Sequence, residues 1–289
     1  MTNRPAVSVV VVSYRCGDLL RDCLASLDLN RRDLSLQVIV VDNASGDGTV
    51  EVARGFAGVD VVELGENVGF ARANNVGIAR CTGDAVLVLN PDTVVPPGAL
   101  AACLHAMRAD SRIGVLSPRL VDGHGHMDRR CRRGFPTLWS LACYFTGLDR
   151  VIPGRRARWY TMGHLPAGVT TDVDAVSGAF MLMPAMALRR VGGFDEQFFM
   201  YAEDIDLCMR FREAGYLVRY WPGADVVHIG SGSSVDGARS PRANAAYFRT
   251  LAPLMRKHHR GRIQRTGARI AGELMLAATN LLTTARRAR

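Results

Sequence analysis

Apolar and polar positions alternate in blocks of strand and helix length through the first hundred residues. Residues 7–12 form an apolar run interrupted only by Ser8, and 18–27 return to apolar positions at helical spacing. The alternation predicts further strands at 37–41, 59–63 and 85–89. It predicts helices at 49–56, 70–80 and 97–108, the last with proline at its start. Strands apolar on both faces and separated by helices imply an α/β fold with a Rossmann-like, mostly parallel central sheet. Right-handed crossovers then gather the carboxyl ends of the strands on one edge.

The pattern changes after Val121. Residues 123–133 are polar and basic, 135–148 apolar and aromatic, and 153–168 irregular and rich in arginine. Strand character resumes at 172–183, followed by a short helix at 184–191, a helix at 203–214, and strands near 217–220 and 225–228. From residue 243 to the end the chain reads as helical. The expected organisation is one domain over 1–240, divided into halves 1–121 and 122–240, with a C-terminal helical extension at 241–289.

Against this pattern, the run Leu87-Val88-Leu89-Asn90-Pro91-Asp92 ends abruptly. Pro91 stops the strand because it lacks an N–H. Asp92 is then held at a carboxyl strand end, where open α/β sheets bind ligands, and a carboxylate there can hold a divalent cation on a diphosphate. The alternative is a polar turn. Asp42 ends the second strand beside Ser13 and Tyr14 of the first. A carboxylate at this edge can accept from a base imide, and the Tyr14 ring can stack on the base. A ribose contact is a further possibility, but the first turn has no GxGxxG, and no GxxxxGK[ST] occurs.

Asn67, Arg72 and Asn74 surround the start of the third helix, where asparagine is locally unfavourable and implies a specific partner. Gly178 permits close approach of a ligand or marks a bulge. Glu203, Asp204 and Asp206 begin a helix, which suits the macrodipole. A pocket-facing carboxylate there also suits general base catalysis. His228 precedes a Gly/Ser loop and is either structural or a ligand of metal or diphosphate.

Composition narrows the classes. With 289 residues and 48% hydrophobic positions, the chain supports a sizeable core. Seven scattered cysteines without a CxxC pair argue against a disulfide framework or zinc site. No secretory signal or spanning apolar run is evident, so a cytoplasmic protein is expected. The net charge of +9, almost all from arginine, suits a phosphorylated substrate, an anionic membrane or nucleic acid. The basic residues lack the aromatic interleaving of a nucleic-acid module, which leaves a basic nucleic-acid- or membrane-binding protein as the competing, non-enzymatic class.

Taken in order, residues 9–14, 40–45, 66–75, 89–92, 177–180, 192–196 and 203–204 resemble the inverting glycosyltransferases of family 2, which have the GT-A fold. The likeness covers roughly 7–235 and is strongest to the rhamnosyltransferase-like branch, where Asn-Pro-Asp stands at the Asp-x-Asp position. It implies that Ser13, Tyr14, Asp42, Asn67, Arg72, Asn74, Asn90 and Gly178 hold a nucleotide-sugar. Asp92, with His228, would bind Mg²⁺ or Mn²⁺, and Asp204 would deprotonate the acceptor. Asn90 departs from the acidic pair and puts strict metal dependence in doubt. The Gln-x-x-Arg-Trp motif of processive synthases is missing, so transfer of a single sugar is expected.

The same resemblance implies dTDP-rhamnose as the sugar source and a glycan on a polyprenyl-diphosphate lipid as acceptor, with a UDP- or GDP-sugar on another acceptor as the alternative. Residues 123–170, including Trp159, would shape the acceptor site together with Glu203. Arg129, Arg130, Arg132 and Arg133 precede the apolar segment bearing Phe135, Leu138, Trp139, Leu141, Tyr144, Phe145 and Leu148. The C-terminal stretch adds Arg265, Arg269, Arg286, Arg287 and Arg289 among apolar residues. Both suggest a peripheral position on the inner face of the membrane, or else a core segment and a solvated tail. Nucleic acid is not among the expected partners, and a homodimer is left open.

Overall fold

The structure is a computed structural model that describes residues 4–230, 234–235, 238–239 and 241–258. Its first half follows the predicted alternation. β1 (Val7–Ser13), α1 (Gly17–Asn30), β2 (Leu36–Asp42), α2 (Thr49–Arg54), β3 (Val59–Glu63), α3 (Phe70–Ile78), β4 (Ala85–Leu89), β5 (Thr93–Val94) and α4 (Ala99–Arg108) succeed one another. Every residue of β1 and β4 is buried, which is why β4 reads as a continuous apolar run and β1 as one broken only by Ser8 before its terminal Ser13.

The second half comprises β6 (Ile113–Val121), β7 (Arg132–Arg133), α5 (Leu138–Thr146), α6 (Leu148–Val151), β8 (Thr171–Asp172), β9 (Ala175–Val176), β10 (Phe180–Pro184), α7 (Ala185–Val191), α8 (Glu203–Glu213), β11 (Leu217–His228) and α9 (Pro241–His258). The main sheet runs β3-β2-β1-β4-β10-β6-β11-β5, with β8 paired to β11.

Several features depart from the sequence pattern, among them the stretch expected as strand at 172–183, which divides into β8, β9 and β10. β6 was not singled out, because Gly114 and Pro118 interrupt its apolar run. The two strands expected at 217–220 and 225–228 are one strand, which shifts register between Trp221 and Asp225, where Pro222 and Gly223 lie. The sheet is mixed: β1 is parallel to β2 and β4, whereas β10 enters antiparallel between β4 and β6.

That antiparallel insertion shapes the ligand edge. Ser13 pairs in register with Asp42, and Leu89 with Phe180. The approach to β10 therefore arrives where β4 ends, and the Asn90 N–H donates to Ala179 O at 3.1 Å. β11 returns antiparallel to β5, placing His228 opposite Thr93, and the Ile229 N–H donates to Asp92 O at 2.9 Å. The expected helical extension begins as α9, whose buried Tyr247 packs against Phe145 and Tyr160. The basic stretch expected at 265–289 and the loop at 231–233 lie outside the described residues. Among the described residues no helix is long and apolar enough to cross a membrane.

Candidate functional site

Asp92, His228, Asn90, Gly178 and Asp204 meet at the carboxyl edge of the sheet. His228 Nε2 lies 3.3 Å from Asp92 Oδ1 and 3.4 Å from Asn90 Nδ2. Its Nδ1 lies 3.4 Å from Asp128 Oδ2, and Asp128 is in turn bonded by Arg130 Nε at 3.1 Å. Burial alone would lower the basicity of His228, but the two flanking carboxylates outweigh it and push the imidazole up to about 9. Burial likewise opposes ionisation of Asp92, and His228 holds its carboxyl below the usual range.

Asp92 Oδ1 is buried and lacks a partner in hydrogen-bond geometry, despite its proximity to His228. One carboxylate oxygen without such a partner and one imidazole fit Mg²⁺ or Mn²⁺ that takes its other ligands from a diphosphate and water. Among the described residues no three His, Cys, Asp or Glu side chains are clustered to hold a metal by themselves. The Asn90 carboxamide, standing where a second carboxylate is common, is consistent with that incomplete ligand set.

Asp204 sits in the first turn of α8 and is nearly buried. Its Oδ2 accepts from Arg133 Nη2 at 2.5 Å and from the Gly178 N–H at 3.0 Å, and its Oδ1 accepts from the Ile205 N–H at 2.8 Å. The close approach expected of Gly178 is not what the site uses: a Cβ there would make only ordinary contact with Asp204, 3.6 Å from Oδ2, and the contribution of this residue is its N–H. Burial opposes the charge on Arg133, and the adjacent Asp204 more than compensates, keeping the guanidinium firmly protonated. Tyr201 and Ala202, just before α8, both adopt left-handed φ values, 70° and 72°. Such consecutive non-glycine residues carry strain that neighbouring contacts must hold. One such contact is the Phe70 N–H donating to Phe199 O at 2.7 Å.

The remaining expected residues divide into edge and interior. Asp42 Oδ1 accepts from the Ser13 and Ser45 hydroxyls, and its Oδ2 from the Ser45 N–H at 2.9 Å, so this carboxylate also organises its own turn. Tyr14 is 44% exposed, with the Arg15 guanidinium 5.3 Å from its ring centroid. Asn67 Oδ1 accepts from Asn43 Nδ2 at 2.9 Å and from the Gly69 N–H, a local brace before α3. Asn74 is fully buried and donates to Phe70 O at 2.9 Å. Arg72 is exposed, 3.9 Å from Glu196. Glu203 is buried beside Asp204. Trp159 donates through Nε1 to Phe135 O at 3.0 Å, on the Gly134 side of the strap that carries Arg133.

The basic quartet is placed differently from the membrane-facing arrangement its composition suggested. Arg129 pairs with Asp149, and Arg130 with Asp128. Arg132 donates to Pro166 O and Leu165 O, and Arg133 to Val176 O and Asp204. Asp128 and Arg133 were therefore the site residues that sequence reasoning missed. A cluster of arginines carries no sign of which way it points. The one available cue was its two neighbouring acids, Asp128 and Asp149, spaced to absorb the charge.

Residues 8–157 match the model of glycosyl transferase family 2, and residues 85–284 that of glycosyl transferase family group 2. The chain is 32% identical over 271 residues to the N-acetylglucosaminyl-diphospho-decaprenol L-rhamnosyltransferase of Mycobacterium tuberculosis, covering 88% of this chain and 85% of the relative. It is 27% identical to the rhamnosyltransferase WbbL of Escherichia coli, covering 77% and 83%. Among solved structures, the Pyrobaculum calidifontis mannosyltransferase PcManGT, in complex with GDP-Man and Mn²⁺, superposes with a TM-score of 0.62 at 21% identity, covering 99% of this chain and 76% of the other. By sequence the chain is thus a member of glycosyl transferase family 2, and its fold is the one that family's GT-A enzymes share.

Proposed function

We propose that this glycosyltransferase moves one rhamnose from dTDP-rhamnose to a glycan on a polyprenyl diphosphate, with inversion at the anomeric carbon. The carrying observation is that Gly178 and Ala179 tie the Asp92–His228 pair to Asp204: Ala179 O accepts from Asn90, and the Gly178 N–H donates to Asp204. A diphosphate-holding side and a candidate base are thereby fixed on one rim. The identity to a rhamnosyltransferase named for a polyprenyl-linked substrate supports the choice of sugar and acceptor.

In this reading Asp42, Ser13 and Tyr14 seat the nucleotide, and Asp92 and His228 hold Mg²⁺ or Mn²⁺ against the diphosphate. The cation, when bound, supplies charge neutralisation for the leaving nucleoside diphosphate. Asp204 Oδ1, which among the described residues accepts only the Ile205 N–H, takes the acceptor hydroxyl proton. The acceptor oxygen bonds to the anomeric carbon as the opposite carbon–oxygen bond to phosphate breaks, and one displacement inverts the configuration. Charge at the sugar develops as in glycoside chemistry generally.

The acceptor half offers a second support. Asp149 is turned inward to Arg129, which leaves Arg150, Arg155 and Arg156 exposed beside Leu148 and Val151. This outward face is cationic and apolar and suits the surface of an anionic bilayer. The deciding experiment combines thermal shift with a panel of nucleotide sugars, with and without Mn²⁺, and transfer to a short-chain GlcNAc-diphospho-polyprenol. Stabilisation and turnover specific to dTDP-rhamnose are expected. Preference for a UDP- or GDP-sugar would replace the proposed donor, and silence with all nucleotides would end the reading.

A further inference from the structure

Arg133 is fully enclosed and reaches the candidate base from a separate element. It lies on β7, which pairs with β9 through Arg132–Val176 and Arg133–Ala175. Its Nη2 donates to Val176 O at 2.6 Å and to Asp204 Oδ2 at 2.5 Å. The strap bearing it is fixed at both ends: the Cys131 N–H donates to Asp128 O, the Ser177 N–H to Cys131 O, and the Gly134 N–H to Tyr160 O. The guanidinium is therefore preorganised by backbone contacts that do not involve the carboxylate.

We infer that Arg133 is the positioning residue of the base, holding the Asp204 carboxylate by one oxygen so that the other faces the acceptor. The inference rests on Asp204 acting as base in the reading above. The Oδ2 atom is saturated by Arg133 and the Gly178 N–H, whereas Oδ1 has one short internal donor. A half-turn of the carboxylate only exchanges its two equivalent oxygens, whereas a smaller rotation about Cβ–Cγ loses the guanidinium contact. Titratable groups near this pair include Cys208 of α8, and Arg130, Cys131, Tyr160 and Tyr247 on the Arg133 side. Asp206 of the same helix is engaged elsewhere, by Arg210, Lys257 and His258.

Charge and position can be separated with Arg133→Gln, which removes both, and Arg133→Lys, which keeps the charge without the planar fork. The readout is the split between kcat and KM for transfer from dTDP-rhamnose to the short-chain GlcNAc-diphospho-polyprenol. Both variants should lose roughly 100-fold in kcat, on the scale expected when a reacting group is misplaced by about 1 Å, with KM for dTDP-rhamnose unchanged. If Arg133→Gln does not fold, the kcat loss of Arg133→Lys at unchanged KM decides the matter. A kcat within twofold of wild type in Arg133→Lys, or a KM for dTDP-rhamnose that rises in step with the kcat loss, overturns the inference. Full transfer by Asp204→Asn would instead remove the base itself, a separate failure.

Discussion

His228 Nε2 faces Asp92 Oδ1 across 3.3 Å, and the same imidazole nitrogen is the one a cation on Asp92 would need. With the proton in place His228 is a cation itself, pushed up to about 9 by Asp128 and Asp92 against the opposing effect of burial. Metal ligation requires the neutral ring, so binding must expel that proton. Affinity for Mn²⁺ in the presence of nucleotide should therefore rise steadily between about pH 6.5 and 9, with close to one proton released per ion. Calorimetry in buffers of different ionisation enthalpy measures this directly. His228→Gln should abolish the proton release, and its persistence in that variant would assign the titration to another group.

A second prediction concerns the loop that delivers Asp204. Gly69 has φ 86°, and a Cβ there would stand 2.5 Å from Phe199 O, a backbone atom that cannot swing away. Gly69→Ala must therefore displace the 199–202 turn or abandon the Phe70–Phe199 hydrogen bond. We expect a loss of roughly 2–4 kcal/mol, combining left-handed strain with the clash. We expect transfer to fall more than nucleotide binding. Gly65→Ala, with nothing within 4 Å of its added methyl, is the matched control and should be near neutral. Equal melting temperatures for the two variants would show that the loop is not braced at Gly69.

The predictable parts of this molecule share a physical property. β1, β2 and β4 are buried along nearly their whole lengths, so burial writes itself into consecutive apolar letters. Asp42, Asp92 and Asp204 were legible because each interrupts or begins such an element at a position where a charge needs a reason. β6 was obscured by Pro118, and β10 gives no sign in its letters that it runs antiparallel. Arg133 and Asp128 were illegible for a different reason. Their partners lie 71 and 100 residues away, and only the closed fold brings Asp204 and His228 to them.

The cationic face after α5 gives a third prediction. Val151 is 73% exposed and Trp139 54%, while Arg150, Arg155 and Arg156 are exposed with no acidic residue in 150–156, Arg155 lying 4.9 Å from the Trp159 ring centroid. Each such arginine contributes about 1 kcal/mol near an anionic surface. Sedimentation with phosphatidylglycerol vesicles should be strong and salt-sensitive, and weak with phosphatidylcholine alone. Replacing Arg155 and Arg156 by glutamate should lower binding by at least about 30-fold, and Val151→Asp by a smaller factor. Indifference to vesicle charge would dismiss this face as a lipid contact.

The last prediction concerns the docking of α9. Asp206 is fully buried, and its oxygens accept from Arg210 at 2.8 Å, Lys257 at 2.7 Å and His258 at 2.8 Å. Burial opposes its charge, but His258, Lys257 and Arg210 draw the Asp206 carboxyl down to about 2. This stabilisation is complete above the unfolded carboxyl value near about 3.9 and is lost as pH falls through the folded value. His258 behaves inversely. Burial disfavours its proton, yet Asp206 and Glu213 raise its pKa, so its contribution is complete below about 6.5 and declines as pH rises through the folded value. The attachment of α9 should thus be firmest between about pH 4 and 6.5. Comparing thermal unfolding of wild type and His258→Gln from about pH 4 to 9 isolates the histidine from His228, which titrates with the same sign. The difference between the two proteins should shrink above pH 6.5, whereas a constant difference up to pH 9 would mean that His258 acts by packing alone. Asp206→Asn should cost less than the about 3–5 kcal/mol of a broken buried pair, because Lys257 is exposed and keeps Asp195, and His258 keeps Glu213.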